Sequence, residues 1–197
     1  MILLASRSPR RKAILNFIGI PFRVVKPDGV LEFKKSGESA SGMVRRLAFD
    51  KAAAVSKKFP HHWILGADTV VSCGKKVFGK PRDRHEAALM LGALQNHSHE
   101  VWTGVALMRP GGKKTQQYSE KTRVMFRRLS SKEIDSYLGS KEPYDKAGAY
   151  DVQGTARHWI EKWDGDYFNI LGLPVRWLIT QLNRSRGKPP VNYSGKF

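Results

Sequence analysis

The sequence predicts an α/β fold with a mixed sheet and flanking helices. Apolar runs typical of strands alternate with amphipathic stretches typical of helices along the whole chain. Three pairs of predicted strands are separated by short polar turns, which is the pattern of antiparallel hairpins. Because purely parallel sheets contain no hairpins, we expect a mixed sheet that is built largely from hairpins.

The first predicted helix begins on three consecutive cations. Met1 to Ala5 predicts a short buried strand, and Ser8 and Pro9 then provide an N-cap and a first helical residue. The helix is expected to end near Gly19, and its predicted apolar stripe is Ala13, Ile14, Phe17 and Ile18. The cations at positions 10–12 lie where the helix dipole disfavours positive charge. These cations either form a solvent-exposed basic face of the helix or bind a phosphate group at its N-terminus.

A second strand, a polar loop and a long helix follow. Residues 22–27 predict a strand that Pro27 closes, and residues 28–38 predict a loop. Ser39 is a good N-cap for a helix to about Lys58, whose predicted stripe is Met43, Val44, Leu47, Ala48, Ala52 and Val55. Lys51 falls on the same stripe, where lysine is rarely buried without a partner. It either extends along the stripe to solvent or meets an acid.

The middle of the chain predicts two hairpins around a third helix. The run WILGADTVVS at 63–72 is a strong strand, and CGKK turns it back into VFGKP. Asp83, with Glu86 three residues later, predicts a helix start. Residues 101–107 alternate as a strand should, PGGK provides a turn, and residues 118–126 return.

The last third predicts a short helix, a glycine-rich loop, a third hairpin and a final helix. Ser130 and Glu133 form a capping-box pattern, and the loop EPYDKAGAYDVQG follows. The segments ARHWIEKW and YFNIL predict a hairpin around residues 164–166. Pro174 is expected to start the final helix, with Trp177, Leu178 and Leu182 buried.

Composition bounds the class of protein. The chain has 197 residues, 41% hydrophobic and 26% charged, which is typical of a soluble globular domain or two lobes. It has a single cysteine, Cys73, and shows no signal peptide or run of about 20 apolar residues, so we expect a cytoplasmic protein that makes no membrane contact. The net charge of +18 predicts contact with a polyanion. Part of that charge lies in residues 184–197, a predicted basic, flexible tail.

Several charged residues could together hydrolyse a phosphate ester. Asp68 lies in an apolar strand, where it is either a structural hydrogen-bond acceptor or a site residue at a strand end. Phosphate hydrolysis needs cations around the phosphate, a metal to bridge its oxygens and a carboxylate to activate water. The candidate cations are Arg10, Arg11, Lys51 and Lys80, and the candidate metal ligands are Glu32, Glu38 and Asp68. The sequence contains neither a Walker A loop nor a cysteine–histidine zinc cluster.

Four segments together resemble the Maf family of nucleotide pyrophosphatases. They are LASRSPRRKAIL, LGADTVV with the following GKPRD, HEVWTGVAL, and EPYDKAGAYDVQG followed by GDYFNILGLP. They occur in the family's order from Leu3 to about Leu182. The resemblance therefore covers nearly the whole chain.

This resemblance implies an activity and an architecture. It implies hydrolysis of nucleoside triphosphates to a monophosphate and pyrophosphate, by water attack at the α-phosphorus and with a divalent cation such as Mg²⁺ or Mn²⁺. It implies that residues 1–183 form one domain of two lobes around a deep cleft. It also implies that the protein forms a homodimer. The expected binding partner is the nucleoside triphosphate substrate, and nucleic acid is not expected to be required.

The resemblance also implies roles for individual residues. Asp68 matches the catalytic acid, and Glu32 and Asp68 match the metal ligands. The implied substrate-binding residues are Ser6, Arg10, Arg11, Lys51, Thr69, Lys80 and Gln153.

The segments ADTVV and DKAGAYDVQG are similar to the branch of the family that acts on dTTP and UTP. The branch that acts on 7-methyl-GTP tends to have SDQ and AGSFKSE at those places. Asp151 stands where the first branch commonly has glycine, inside the pocket loop. Because of this difference in the pocket loop, the base preference of this chain does not follow from the resemblance alone.

Two other functions are consistent with the sequence. A nucleic-acid-binding protein would use the +18 charge, would bind less tightly as salt increases and would not need Asp68. A non-catalytic nucleotide-binding regulator of cell division would bind nucleotide tightly and release no pyrophosphate. Measuring pyrophosphate release distinguishes both from an enzyme.

Overall fold

The computed structural model describes residues 1–112 and 114–184, so the predicted tail lies outside it from residue 185 onward. Its strands are β1 (Ile2–Ala5), β2 (Phe22–Val24), β3 (Trp63–Cys73), β4 (Lys76–Phe78), β5 (Ser98–Met108), β6 (Thr115–Phe126) and β7 (Ile160–Asp164). Its α-helices are α1 (Pro9–Phe17), α2 (Ala40–Ser56), α3 (Arg84–Leu94), α4 (Ser131–Leu138), α5 (Tyr167–Ile170) and α6 (Val175–Arg184). Short 3₁₀ segments occur at Pro143–Asp145, Ala147–Ala149 and Thr155–Trp159. In the described ranges, every helix is too short or too polar to cross a membrane.

The described strands form one open sheet of mixed direction. The strand order is β2-β1-β3-β5-β6-β7, and β4 pairs with β3 off this path. Strand β1 is parallel to both β2 and β3, whereas β3–β4 and β6–β7 are antiparallel pairs. The predicted α/β fold with a mixed sheet is confirmed.

The chain divides into two compact units. Among the described residues, the first contains Met1–Asp68, Thr103–Glu120 without residue 113, and residues 171–184, and the second contains Thr69–Trp102 and Lys121–Ile170. Strand β3 therefore passes from the first unit to the second after Asp68. The predicted site residues on either side of that point belong to different units.

Helix α2 packs unusually close to the sheet in the first unit. Its predicted apolar stripe is buried as expected. A Cβ at Gly66 of β3 would lie 2.0 Å from the Ala48 carbonyl oxygen, and a Cβ at Gly104 of β5 would lie 2.2 Å from that of Val44. Because only glycine permits this approach, the backbone of α2 lies directly against the strands. The core cluster built on this contact is Leu3, Ala5, Ala48, Ala52, Val55, Ile64, Ala106 and Met108.

Helix α1 has the predicted ends but a different buried face. The Ser8 side chain accepts the Arg11 N–H, and Gly19 has a φ of +67°. The predicted stripe was wrong at two positions, because Ala13 is exposed and Phe17 is 72% exposed. The buried positions are Arg11, Ile14, Leu15 and Ile18. The face is rotated because Arg11 occupies the buried position one turn before Ile14 and Leu15.

The second unit begins its helices as the sequence predicts. The Asp83 side chain caps α3 by accepting the Glu86 N–H at 2.7 Å. Ser130 and Glu133 form the reciprocal capping box of α4. In both helices the capping hydrogen bonds join residues within one helical turn. The local sequence pattern was therefore sufficient to predict where each helix begins.

The predicted third hairpin is wrong. Residues after Gly165 form the short helix α5, in which Asp166 Oδ1 accepts the Phe168 N–H at 2.7 Å. The buried Asn169 side chain donates to the Val101 carbonyl at 3.0 Å and to Thr122 Oγ1 at 2.9 Å. These two bonds hold the segment as a helix, and β7 pairs only with β6 among the described strands.

The final helix begins as predicted but leaves one aromatic residue only half-buried. Leu178 and Leu182 of α6 are buried. Trp177, which was expected to be buried with them, lies instead at the edge of the core and stacks on Tyr118, with ring centroids 5.6 Å apart. A large amphipathic ring gains contact area in this position without full burial.

Candidate active site

The first unit contains a buried lysine that meets two acids. Lys51 of α2 is only 6% exposed, and its Nζ lies 2.6 Å from Asp68 Oδ1. The same Nζ lies 2.7 Å from Oε1 of Glu32, whose side chain in the loop before α2 is 54% exposed. The close packing of α2 on β3 creates this contact. The structure therefore resolves the alternatives for Lys51, because a buried lysine requires a partner and here has two.

A second buried cation lies in the same unit. The Nη1 of Arg11 donates to Ser6 Oγ at 3.0 Å and to the carbonyl of Ala67, the residue before Asp68, at 2.9 Å. Its Nε donates to the Gly172 carbonyl at 2.8 Å. Burial lowers the pKa of Arg11 to about 10, and the nearby charge of Asp68 opposes this shift. The guanidinium is therefore charged at neutral pH and ties the start of α1 to β3.

The hydroxyl of Ser6 retains only its donor proton for a further hydrogen bond. Its buried Oγ accepts the Ser8 N–H at 3.2 Å and the Arg11 Nη1 at 3.0 Å. A hydroxyl has two acceptor lone pairs and one donor proton. With both lone pairs used, the O–H of Ser6 can act only as a donor, which suits a phosphate oxygen.

Asp68 lies between opposing electrostatic influences. Burial raises the pKa of this carboxyl group, and the charges of Lys51 and Arg11 partly offset that increase. The net shift is upward because removing the carboxylate from water is the largest effect. A carboxylate with a raised pKa is a better proton acceptor than an exposed aspartate.

Glu32 and Asp68 have the composition of a two-carboxylate cation site. In the described ranges, no three residues of the types His, Cys, Asp and Glu lie together as a possible metal site. Mg²⁺, however, commonly uses one or two protein carboxylates and completes its shell with water and substrate oxygens. One carboxylate oxygen of each residue contacts the Lys51 ammonium, which fills the position on which they converge. The donor types fit a divalent cation, which would have to use the carboxylate oxygens that do not contact Lys51.

Glu38 is not part of this centre. Its two carboxylate oxygens lie 2.7 Å from Nε and Nη2 of Arg46, in a bidentate ion pair. This hydrogen bonding lowers the pKa of Glu38 to about 2. The expectation that Glu38 is a metal ligand is replaced by a structural role that stabilises the loop before α2.

The remaining predicted site residues are distributed between the units. Arg10 is half-buried on α1 in the first unit. Thr69, Lys80 and Gln153 belong to the second unit, where Thr69 is half-buried and the other two are exposed. The Gly148 N–H donates to the Gly79 carbonyl at 3.0 Å, so the glycine-rich loop is bonded to the residue before Lys80.

Sequence reasoning missed a charged pair in the glycine-rich loop. Lys146 has a side chain only 13% exposed, forms an ion pair with Asp145, and has its Nζ 3.4 Å from Asp151 Oδ2. The signal that could have indicated this pair is a lysine between two acids in a loop rich in glycine. The carbonyl acceptors of Arg11 were also missed, and they carry no sequence signal because every residue has a carbonyl.

Comparison with known proteins gives a family and curated relatives. The model of the Maf-like protein family matches residues 1–185. A protein of Bacillus anthracis named dTTP/UTP pyrophosphatase is 42% identical over 183 residues, which cover 93% of this chain and 94% of the relative. A Bacillus cereus protein of the same name shows the same identity and coverage.

Two solved structures show a weaker likeness. A dITP/XTP pyrophosphatase from Mycobacterium abscessus is 17% identical, with a TM-score of 0.42, over 66% of this chain and 76% of the other. The Ham1 protein of Staphylococcus aureus is 13% identical, with a TM-score of 0.43, over 64% of this chain and 71% of the other.

Proposed function

The chain belongs to the Maf-like protein family, and from this we propose that it is a nucleoside triphosphate pyrophosphatase with a preference for dTTP and UTP. The proposal is supported by the match over residues 1–185 and by relatives of that name at 42% identity. The observation that carries it is the buried contact between Lys51 and Asp68 beside Arg11. A phosphate-hydrolysing centre requires cations and a carboxylate together, and this contact supplies both.

The first unit supplies groups that bind phosphate. The Ser6 O–H donates to a phosphate oxygen, and Arg11 holds Ser6 in the orientation that leaves this proton available. Arg10 and Lys51 contribute positive charge that offsets the charge of the triphosphate. These contacts do not read the base.

Asp68 activates the attacking water. The carboxylate accepts a proton from water while the water oxygen bonds to the α-phosphorus. The bond from the α-phosphorus to the bridging oxygen breaks, and pyrophosphate leaves with its electron pair. Lys51 fixes Asp68 Oδ1 and so limits the rotation of the carboxylate during the transfer.

Glu32 and Asp68 are the residues that would hold a divalent cation, which supplies charge neutralisation at the phosphate oxygens when bound. Lys51 keeps the two carboxylates close together by contacting both of them. This pre-organisation lowers the cost of bringing two negative groups to one position.

The activity is tested with a panel of nucleoside triphosphates in Mg²⁺ or Mn²⁺, scored for pyrophosphate and monophosphate. We expect release from UTP and dTTP, and we expect Asp68→Asn to reduce turnover by about 10²- to 10⁴-fold because it removes the base. Asp50→Asn is the matched control, since Asp50 precedes Lys51 on α2 but points to Arg46 at 3.5 Å. Full turnover by a folded Asp68→Asn variant would refute the assignment.

The bond cleaved is tested with UTP in ¹⁸O-labelled water. Attack at the α-phosphorus places the label in UMP and leaves pyrophosphate unlabelled. Label in pyrophosphate would mean attack at the β-phosphorus. Release of orthophosphate and UDP would mean a γ-phosphatase, and either result contradicts the proposed mechanism.

A further inference from the structure

Two cations of helix α2 contact the Glu32 loop, residues 28–38. Lys51 Nζ lies 2.7 Å from Glu32 Oε1, and Arg46, earlier on the same helix, donates from Nη2 to the Phe33 carbonyl at 2.8 Å. Glu32 and Phe33 are adjacent, so the side chain of one and the carbonyl of the other are both tied to α2. The loop is therefore fixed at the residue that contacts the buried lysine.

Arg46 also holds the end of this loop that leads into α2. Its Nε and Nη2 donate to the two carboxylate oxygens of Glu38, each at 2.7 Å, and Glu38 Oε2 accepts the Lys35 N–H at 3.0 Å. The side chains of Arg46 and Glu38 are only 19% and 13% exposed, so little water competes for these charge-assisted bonds. The third nitrogen, Nη1, lies 3.5 Å from Asp50, which is on α2 itself, so that contact does not involve the loop.

Apolar packing contributes little to the position of the Glu32 loop. The neighbours of Glu32 on either side, Leu31 and Phe33, are 72% and 54% exposed. Gly29 and Gly37 both have a φ of +71°, so the backbone bends near each end of the loop in a conformation that glycine adopts without strain. The segment lies outside the helices and strands. Polar contacts therefore decide where Glu32 lies.

We propose that Arg46 is a positioning residue, which holds Glu32 where it can contact both Lys51 and a divalent cation. The inference rests on the proposed function, in which Glu32 and Asp68 hold that cation. Lys51 contacts one oxygen of each carboxylate, so a cation would use Oε2 of Glu32 and Oδ2 of Asp68. Asp68 is carried by a strand and Glu32 by a loop, so the separation of these oxygens depends on what fixes the loop. A ligand that is already in place loses less conformational freedom on binding.

Binding of Mn²⁺ to the full chain without nucleotide tests this role, with electron paramagnetic resonance of the free ion as the readout. In Arg46→Met the loop can leave Lys51, and the apparent Kd rises as the fraction of molecules with Glu32 in place falls. We expect the Kd to rise by about tenfold or more, the equivalent of one charge-assisted hydrogen bond. Arg45→Met, at the exposed neighbouring position of α2, removes the same charge and should keep the wild-type Kd.

A double-mutant cycle shows whether Arg46 acts through Glu32. Glu32→Gln should weaken Mn²⁺ binding by itself. Adding Arg46→Met to it should then change the Kd by less than about twofold, because no carboxylate remains to be positioned. An arginine that supported only the general stability of the fold would lower the affinity equally in both backgrounds. Equal losses in the two backgrounds, or an unchanged Kd in a folded Arg46→Met variant, would overturn the inference.

Arg46→Lys covers the case in which Arg46→Met does not fold. It keeps the positive charge, but an ammonium group cannot reproduce the planar fork that reaches Glu38 and the Phe33 carbonyl together. We expect the Kd for Mn²⁺ to rise by about threefold or more. Wild-type affinity in this variant would refute positioning by the guanidinium fork.

Amide hydrogen exchange follows the loop without a metal or a substrate. The Lys35 N–H, which is bonded to Glu38, should exchange about fivefold faster in both Arg46 variants than in the wild type, and at the wild-type rate in Arg45→Met. If the wild type bound Mn²⁺ no more tightly than Glu32→Gln, the proposed cation site would fail, and this exchange alone would judge whether Arg46 holds the loop. Unchanged exchange in the Arg46 variants would refute its role.

Discussion

The first unit contains a pair of buried, oppositely charged residues, Lys51 and Asp68. Lys51 and Asp68 have both left water, and each compensates the charge of the other across 2.6 Å. Removing one member of such a pair leaves the other charge buried and uncompensated, whereas removing both leaves neither. We therefore expect the loss of one residue of the pair to destabilise the fold more than the loss of both residues.

We predict that Lys51→Met lowers the free energy of unfolding by about 3–5 kcal/mol. The double variant Lys51→Met/Asp68→Asn should lose less than Lys51→Met alone, because the uncompensated carboxylate is gone. Lys57→Met, at an exposed position at the end of α2, is the control and should change stability by less than about 0.5 kcal/mol. Urea denaturation measures all three variants. A double variant that loses the sum of the single effects would show that the two residues are independent.

His99 on β5 gives the second unit a predicted pH dependence. It is buried against Phe126 and Tyr150, and its Nε2 lies 2.9 Å from Tyr150 Oη. Burial lowers the pKa of His99 to about 4, whereas a histidine in the unfolded chain has a pKa of about 6.5. Between these values the unfolded state binds more protons. Stability therefore falls as the pH decreases through this range.

His99→Phe should remove this contribution because phenylalanine cannot be protonated. Relative to the variant, we expect the wild type to lose about 2–3 kcal/mol of unfolding free energy between pH 7.5 and pH 4.5. Urea denaturation of both proteins at the two pH values gives the difference, in which the titration of all other groups cancels. An equal pH dependence in the two proteins would contradict the assignment of a lowered pKa to His99.

At the scale of elements, the contact between α2 and the sheet determines whether the charged centre can form. Helix α2 carries Lys51 and β3 carries Asp68, and the absence of side chains at Gly66 and Gly104 allows the close approach. A displacement of α2 by the width of a methyl group would lengthen the 2.6 Å contact. Backbone packing and the candidate site are thus coupled.

We predict that Gly104→Ala destabilises the protein by about 3 kcal/mol or more, because its Cβ would overlap the backbone of α2 at Val44. Gly92→Ala is the matched control. Gly92 lies in α3 with no atom within 4 Å of an added Cβ, so this change should stabilise by about 0.5–1 kcal/mol. Thermal and urea unfolding measure both variants. Wild-type stability in Gly104→Ala would show that the close approach is not required.

At the scale of the whole molecule, the net charge of +18 acts on every polyanion, whatever its identity. A charge of this size is expected to raise the local concentration of a triphosphate, and to attract nucleic acid without reading its sequence. Binding through net charge and the proposed catalysis at Asp68 can be tested separately. Only the second requires a specific carboxylate.

We predict that a labelled single-stranded oligonucleotide binds the wild type and Asp68→Asn equally, and that both lose affinity steeply as salt increases. Triphosphate turnover should need no oligonucleotide and should be lost only in Asp68→Asn. Fluorescence anisotropy across a salt series and the pyrophosphate assay give the two readouts. Turnover that required nucleic acid, or oligonucleotide binding that required Asp68, would favour a nucleic-acid function over the proposed enzyme.

The sequence by itself determined the features that act within one or two helical turns. Ser8, Ser39 and Ser130 marked the starts of three helices, because a cap bonds to an amide only three residues away. The stripe of α2 and the mixed sheet followed from periodicity and from short turns. Asp68 and Lys51 could be nominated as site residues, because charge in an apolar segment is costly wherever it is buried. Glu32 was nominated only as a candidate metal ligand and through the family resemblance.

Only the tertiary structure decided how those residues are paired. Lys51 contacts Asp68 from 17 positions away, and Arg11 bonds to the carbonyls of Ala67 and Gly172. Residues 167–170 form a helix because Asn169 finds distant partners in Val101 and Thr122. Backbone carbonyls look alike in every sequence, and a partner distant in the chain is defined only once the backbone has brought it near. The pairing of charges therefore became visible only in the folded chain.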